Sequence, residues 1–128
     1  MTFVLDASAT LALLLDEAGA DVVGASARDS QLLIVNHCEV LSKIAQEGGD
    51  WAGADAILNR FGIRVVEFTQ EHSLEAARLR PLTRELGLSL GDRACLAHGR
   101  FSGLPILTSD RRMAEAAAGL GIDIRMIR

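Results

Sequence analysis

The sequence predicts an α/β fold in which a mostly parallel, five-stranded sheet is covered by helices on both faces. Three observations carry this. Five short apolar segments recur along the chain, and segments of helical spacing separate them. Parallel strands need such helical crossovers and lie buried between them. At 128 residues with 49% apolar composition, the chain is long enough for one core and reads as one domain over residues 1–128, with no repeat, linker or proline-rich stretch.

The elements follow in order. Residues 2–6 (TFVLD) form a first buried strand, and residues 8–17 after it are too long and too poor in β-branched side chains for anything but a helix. A second helix occupies about 20–29, and residues 31–35 (QLLIV) make the second strand. In NHCEVLSKIAQEGG, Val40, Leu41, Ile44 and Ala45 recur at helical spacing, with Asn36 as the expected N-cap and Gly48-Gly49 as the stop. A helix over about 51–60 leads to the third strand, 63–68. Residues 71–80 are helical, and Pro81 suits the first turn of a new short helix ending at Gly87. A helix beginning near Gly91 is expected to bury Ala94, Cys95, Ala97 and Phe101. The fourth strand is 105–110, followed by a helix over 111–121 closed by glycine, and by a last strand over 122–127. Right-handed crossovers then restrict the topology.

Composition narrows the function classes. The longest apolar run, ATLALLL (residues 9–15), is far shorter than the roughly 20 residues that span a bilayer. No basic leader precedes the first strand, so the expected location is cytoplasmic, without membrane association. Cys38 and Cys95 lack metal-type spacing and are expected to be reduced and buried. A net charge of −4 argues against coating nucleic acid indiscriminately. The charge is uneven, however: residues 1–64 hold 9 acids against 4 bases, and residues 65–128 hold 8 against 9. Of the 13 basic residues 12 are arginine, the side chain best shaped for bidentate phosphate contacts, so a basic rim around an acidic pocket is compatible with these numbers.

The acids sit at telling places. Asp6 ends the first strand, Glu39 and Asp92 fall in the first turns of helices, and Asp110 ends the fourth strand. All four therefore belong at the carboxyl edge of the sheet, where open α/β folds bind ligands. The same positions also suit helix capping: acids are favoured at helix N-termini, and both NHCE and SLGD have the form of capping boxes. Taken singly, each acid is explained by a cap. Taken together, four converging carboxylates repel one another and call for protonation or a cation. Hard oxygen ligands suit magnesium or manganese, which can activate water at a phosphodiester.

The stretches VLDASA (4–9), VNHCEVLSK (35–43), LGLSLGDRACLA (86–97) and LPILTSDR (104–111) span nearly the whole chain. In this order and spacing they resemble the PIN domain family, and within it the VapC-type toxin ribonucleases of type II toxin–antitoxin systems. The resemblance implies a three-layer α/β/α sandwich with strand order 3-2-1-4-5, which brings Asp6 and Asp110 together. It further implies a metal-dependent endoribonuclease whose quartet is Asp6, Glu39, Asp92 and Asp110, with Asp6 and Asp92 as the most direct ligands of one or two magnesium or manganese ions. Ser8 and Thr108 match supporting positions, and Asn36 either does the same or caps its helix. The resemblance also implies a VapB-type antitoxin that blocks the acidic pocket, and a homodimer. His37, Cys38 and the RRM run at 111–113 depart from the side chains common in the family, which bears on substrate contacts rather than on the acids.

Arg93 and Arg111 each follow a quartet acid and are candidates for holding phosphates. His37, His72 and His98 show no ligand spacing, and His98 is expected to be packed in the core. With no tyrosine and scattered phenylalanines, no stacking platform for single strands is apparent, so a structured RNA such as transfer or ribosomal RNA is the expected substrate. Two rivals remain. An acid-pocket phosphatase of the haloacid dehalogenase kind needs a second acid two residues after the first, where this chain has Ser8. The other is a receiver-like or degenerate module that binds a partner without cutting: an intact acidic quartet argues against degeneration, and a receiver would need a lysine after the fourth strand, whereas Lys43 is the only lysine.

Overall fold

A computed structural model describes residues 1–128. Five strands, β1 (Val4–Leu5), β2 (Gln31–Leu33), β3 (Arg64–Val66), β4 (Ile106–Thr108) and β5 (Ile124–Met126), form one sheet in the order β3-β2-β1-β4-β5. Every neighbouring pair is parallel. Seven helices connect them: α1 (Ala7–Leu15), α2 (Ala20–Ser26), α3 (Ile34–Gln46), α4 (Trp51–Arg60), α5 (Gln70–Leu82), α6 (Leu90–Ser102) and α7 (Arg111–Ala118), with a short 3-10 helix at Arg84–Leu86.

Successive strand residues point to opposite faces, and that alternation divides the core in two. Phe3 and Leu5, with Leu32 and Leu107, face Ala9, Ala12, Val23 and Leu58 from α1, α2 and α4. Val4 and Ile106 face Leu79, Cys95, Leu96, Met113 and Ala117 from α5, α6 and α7. The result is the three-layer sandwich expected from the sequence. Gly99 marks a close approach, since a Cβ there would meet Ile106 Cδ1 at 2.5 Å, so α6 packs directly on this side chain of β4.

Several local expectations are corrected. The second strand stops at Leu33 and α3 begins at Ile34, so Asn36 stands inside the helix and Leu33 holds the cap position without a side-chain bond. Pro81 does not open a helix; it lies in the last turn of α5, where it removes one helical N–H donor. Cys38 is exposed rather than buried, whereas Cys95 is buried. Phe101 is 50% exposed, because its helix turns that side toward α5, where the ring meets His72 edge-on at 5.4 Å.

Candidate active site

The carboxyl edge of the sheet is built by chain breaks in β1 and β4. β1 ends at Asp6, which becomes the N-cap of α1 and accepts the Ala9 N–H through Oδ1 at 2.8 Å. Two hydroxyls complete its shell. Ser8 donates to Oδ1 at 2.7 Å, and Thr108, at the end of the neighbouring β4, donates to Oδ2. Asp6 is only 4% exposed, and this burial raises its pKa despite the three donors.

Asp92 enters from α6 through a reciprocal capping box: its N–H donates to Ser89 Oγ, and the Ser89 N–H donates to its Oδ2 at 2.9 Å. SLGD is thus the capping box expected, and NHCE is not. Glu39 projects from the second turn of α3. Asn36, 1% exposed, donates from Nδ2 to Glu39 Oε1 at 2.9 Å and to the Gly91 carbonyl at 3.1 Å. Burial of the carboxylate raises the Glu39 pKa, and the charge of Asp92 raises it further. Asp92 also acts on Asp6. Beneath them the Cys95 thiol is pushed well up, first by burial and then by the charges of Asp6, Asp92 and Glu39. The charge of Asp92 thus reaches both other carboxylates.

Asp110 stands apart from that trio in its bonding. It caps α7, accepts the Arg112 N–H, and forms a two-pronged pair with the Arg112 guanidinium, at 2.9 Å to Oδ2 and 3.2 Å to Oδ1. Arg112 holds its pKa down. Its backbone nevertheless closes the ring of the site, because the Asp110 N–H donates to Thr108 Oγ1 at 2.9 Å and Ser109 N–H donates to Ser8 Oγ at 3.0 Å.

The two arginines singled out in the sequence are not equivalent. Arg93 is committed elsewhere: its Nη1 donates to the Ala76 carbonyl at 2.8 Å and its Nε is buried, which ties α6 to α5 and takes the guanidinium away from phosphates. Arg111 is exposed. Arg112, which sequence reading passed over, is the cation that the acidic edge engages, with Asp110 in contact and Asp92 adding a smaller attraction. The signal was present as Asp-x-Arg, the spacing that returns an N2 side chain to its own cap. Gly91 was likewise read only as the neighbour of Asp92.

A model of the PIN domain matches residues 3–119. The chain belongs to the PIN domain family. Solved structures place its fold within the same group. A toxin–antitoxin complex from Klebsiella pneumoniae superimposes with a TM-score of 0.77 at 16% identity, covering 99% of this chain and 98% of the other. VapC20 from Mycobacterium tuberculosis, a sarcin-ricin loop cleaving toxin, gives 0.75 at 19% identity over 90% and 95%. VapBC2 from Rickettsia felis, bound to a DNA fragment from its promoter, gives 0.72 at 10% identity over 98% of both chains. No curated protein matches the sequence. In this PIN domain no helix is long and apolar enough to cross a membrane.

The donor set of the PIN domain suits a hard divalent cation: Asp6, Glu39 and Asp92 offer carboxylate oxygens, and Glu39 Oε2 and Asp92 Oδ1 accept no hydrogen bond. Two of the three carboxylates, Asp6 and Glu39, carry raised pKa values, the condition that a cation relieves. As the side chains stand, no three of His, Cys, Asp and Glu are close enough to grip one ion.

Proposed function

We propose that this PIN domain is a metal-dependent endoribonuclease and the toxin of a toxin–antitoxin pair. The observation that carries the reading is the placement of three carboxylates at the carboxyl edge of the sheet: Asp6 under the Ser8 and Thr108 hydroxyls, and Glu39 fastened through Asn36 to the Gly91 carbonyl, next to Asp92. Asp6, Asp92 and Glu39 would hold magnesium or manganese, one ion or two, with Asp110 joining once released from Arg112. The metal would lower the pKa of a bound water and offset charge on the phosphodiester. The chain's own groups prepare that chemistry. Ser8 and Thr108 fix the plane of the Asp6 carboxylate, and Asn36 fixes Glu39. Arg112 is exposed and paired with Asp110, and trading that pair for a phosphate of the RNA would keep its charge satisfied.

The fold likeness to VapC20 supports RNA as substrate, and a structured target such as transfer or ribosomal RNA suits a chain without a stacking platform. The likeness to toxin–antitoxin assemblies supports a VapB-type antitoxin partner, with homodimerisation and a cytoplasmic setting following from the same reading. Hydrolysis of this kind leaves a 5′-phosphate and a 3′-hydroxyl.

Purified protein incubated with total cellular RNA should cut it with magnesium or manganese and not with chelator. Asp92→Asn should reduce the rate at least about 100-fold, since loss of a ligand exceeds the 10- to 100-fold typical of its supports. Wild type and variant equally silent with every metal, beside turnover of a phosphomonoester, would end the ribonuclease reading.

A further inference from the structure

We infer that Gly91 is a positioning residue of the acidic site, its missing side chain leaving the space in which the Glu39 carboxylate is held against α6. The inference rests on the metal-site reading above and adds to it the element that places the third carboxylate.

A Cβ built at Gly91 would overlap Oε1, Oε2 and the carboxyl carbon of Glu39 at once. The backbone need not move, because the overlapping atoms are the end of a flexible side chain, but the entire carboxyl group, rather than one edge, would have to leave the position. Gly91 is not a conformational necessity, having no left-handed φ, and it stands in the first turn of α6, where alanine would favour the helix. Its use is therefore close approach.

Asn36 makes the cradle two-sided. Its Nδ2 donates both to Glu39 Oε1 and to the Gly91 carbonyl, so one buried amide fastens the carboxylate to the residue it lies against. The amide orientation is fixed by these partners. Turned over, Asn36 would set its oxygen against two acceptors, and the orientation is kept although Oδ1 has no partner. Glu39 is otherwise on an exposed helix face with several free torsions, and the cradle selects one arrangement of them next to Asp92.

The test uses full-length wild type, Gly91→Ala, Glu39→Ala and the double variant, with two readouts. In metal-free protein, thermal melts should show coupling: the alanine raises the midpoint in the Glu39→Ala background, as helix propensity dictates, and raises it less or lowers it where Glu39 must be expelled. In manganese titrations followed by calorimetry, Gly91→Ala should bind about 10- to 100-fold more weakly than wild type and add no loss to Glu39→Ala. Equal midpoint changes in both backgrounds would overturn the cradle. Coupled melts with unchanged manganese affinity would overturn its part in the metal site. Wild type that binds no manganese would refute the metal reading itself, and the melts would still decide the cradle.

Discussion

Replacing Asp6 by asparagine is expected to end metal-dependent RNA cleavage, by at least about 100-fold, while leaving the protein no less stable than wild type at pH 7. The carboxylate is buried, and its raised pKa states that the ionised form is disfavoured in the folded chain. An asparagine carries no charge to desolvate. Its oxygen can keep the Ser8 hydroxyl and the Ala9 N–H. Thr108 can then accept from the new amide and turn its own proton toward Ser8, whose Oγ is 3.2 Å away. Asp6→Ala behaves differently. It strips the acceptor from three donors and opens a void between β1 and β4, a loss of about 3 kcal/mol. Urea melts of both variants beside wild type check this. An asparagine variant as unstable as the alanine one would mean that the charge is needed for folding, and one that still cuts RNA with metal would remove Asp6 from the site. A buried acid whose burial disfavours its own charge is a candidate functional group, and Asp6 is one although it also caps α1.

The layered fold was legible because buried parallel strands and amphipathic helices impose their own periods, and the strand order followed from the family resemblance. The boundaries were less legible. In QLLIVNHCE the apolar run passes from β2 into α3 without a break, since a strand and a helix start buried on the same side look alike in composition. That slip misplaced Asn36 as a cap, although it fastens Glu39. Asp6, Asp92 and Asp110 all cap or box a helix, and only their surroundings separate them. Asp6 is buried under hydroxyls, Asp92 shares its field with two acids, and Asp110 is neutralised by Arg112. None of those surroundings is written in local spacing. Which arginine meets the acids depended on helical phase, and Gly91 mattered for an atom it lacks.

His98→Ala is expected to cost about 3 kcal/mol, for a reason that spacing along the chain does not reveal. His72 and His98, 26 positions apart, join α5, α6 and β2 in one buried chain of hydrogen bonds. The Thr69 N–H donates to His72 Nδ1 at 3.0 Å, which makes that nitrogen an acceptor and puts the ring proton on Nε2. Nε2 then donates to His98 Nδ1 at 2.9 Å, and His98 Nε2 donates to Gln31 Oε1 at 2.6 Å. Both rings are neutral in this arrangement. A second proton on His72 would confront the Thr69 N–H, and one on His98 would confront the His72 N–H. Burial lowers both pKa values; Glu71 partly opposes this at His72, and the proximity of His72 adds to it at His98. Below the unfolded-state value of about 6.5, the unfolded chain therefore takes up protons that the folded chain refuses. The contribution is complete above that pH and is lost as pH falls from about 6.5 toward the lowered values. Asp6 and Glu39, with raised pKa values, act in the opposite sense, so comparison with a variant isolates the histidines. Midpoints of wild type should drop between pH 7.5 and pH 5.5 by more than those of His72→Phe/His98→Leu, which lacks both rings of the pair. Parallel pH profiles in the two proteins would show that the pair is not neutral in the fold, and the proton direction deduced from Thr69 would fall with it.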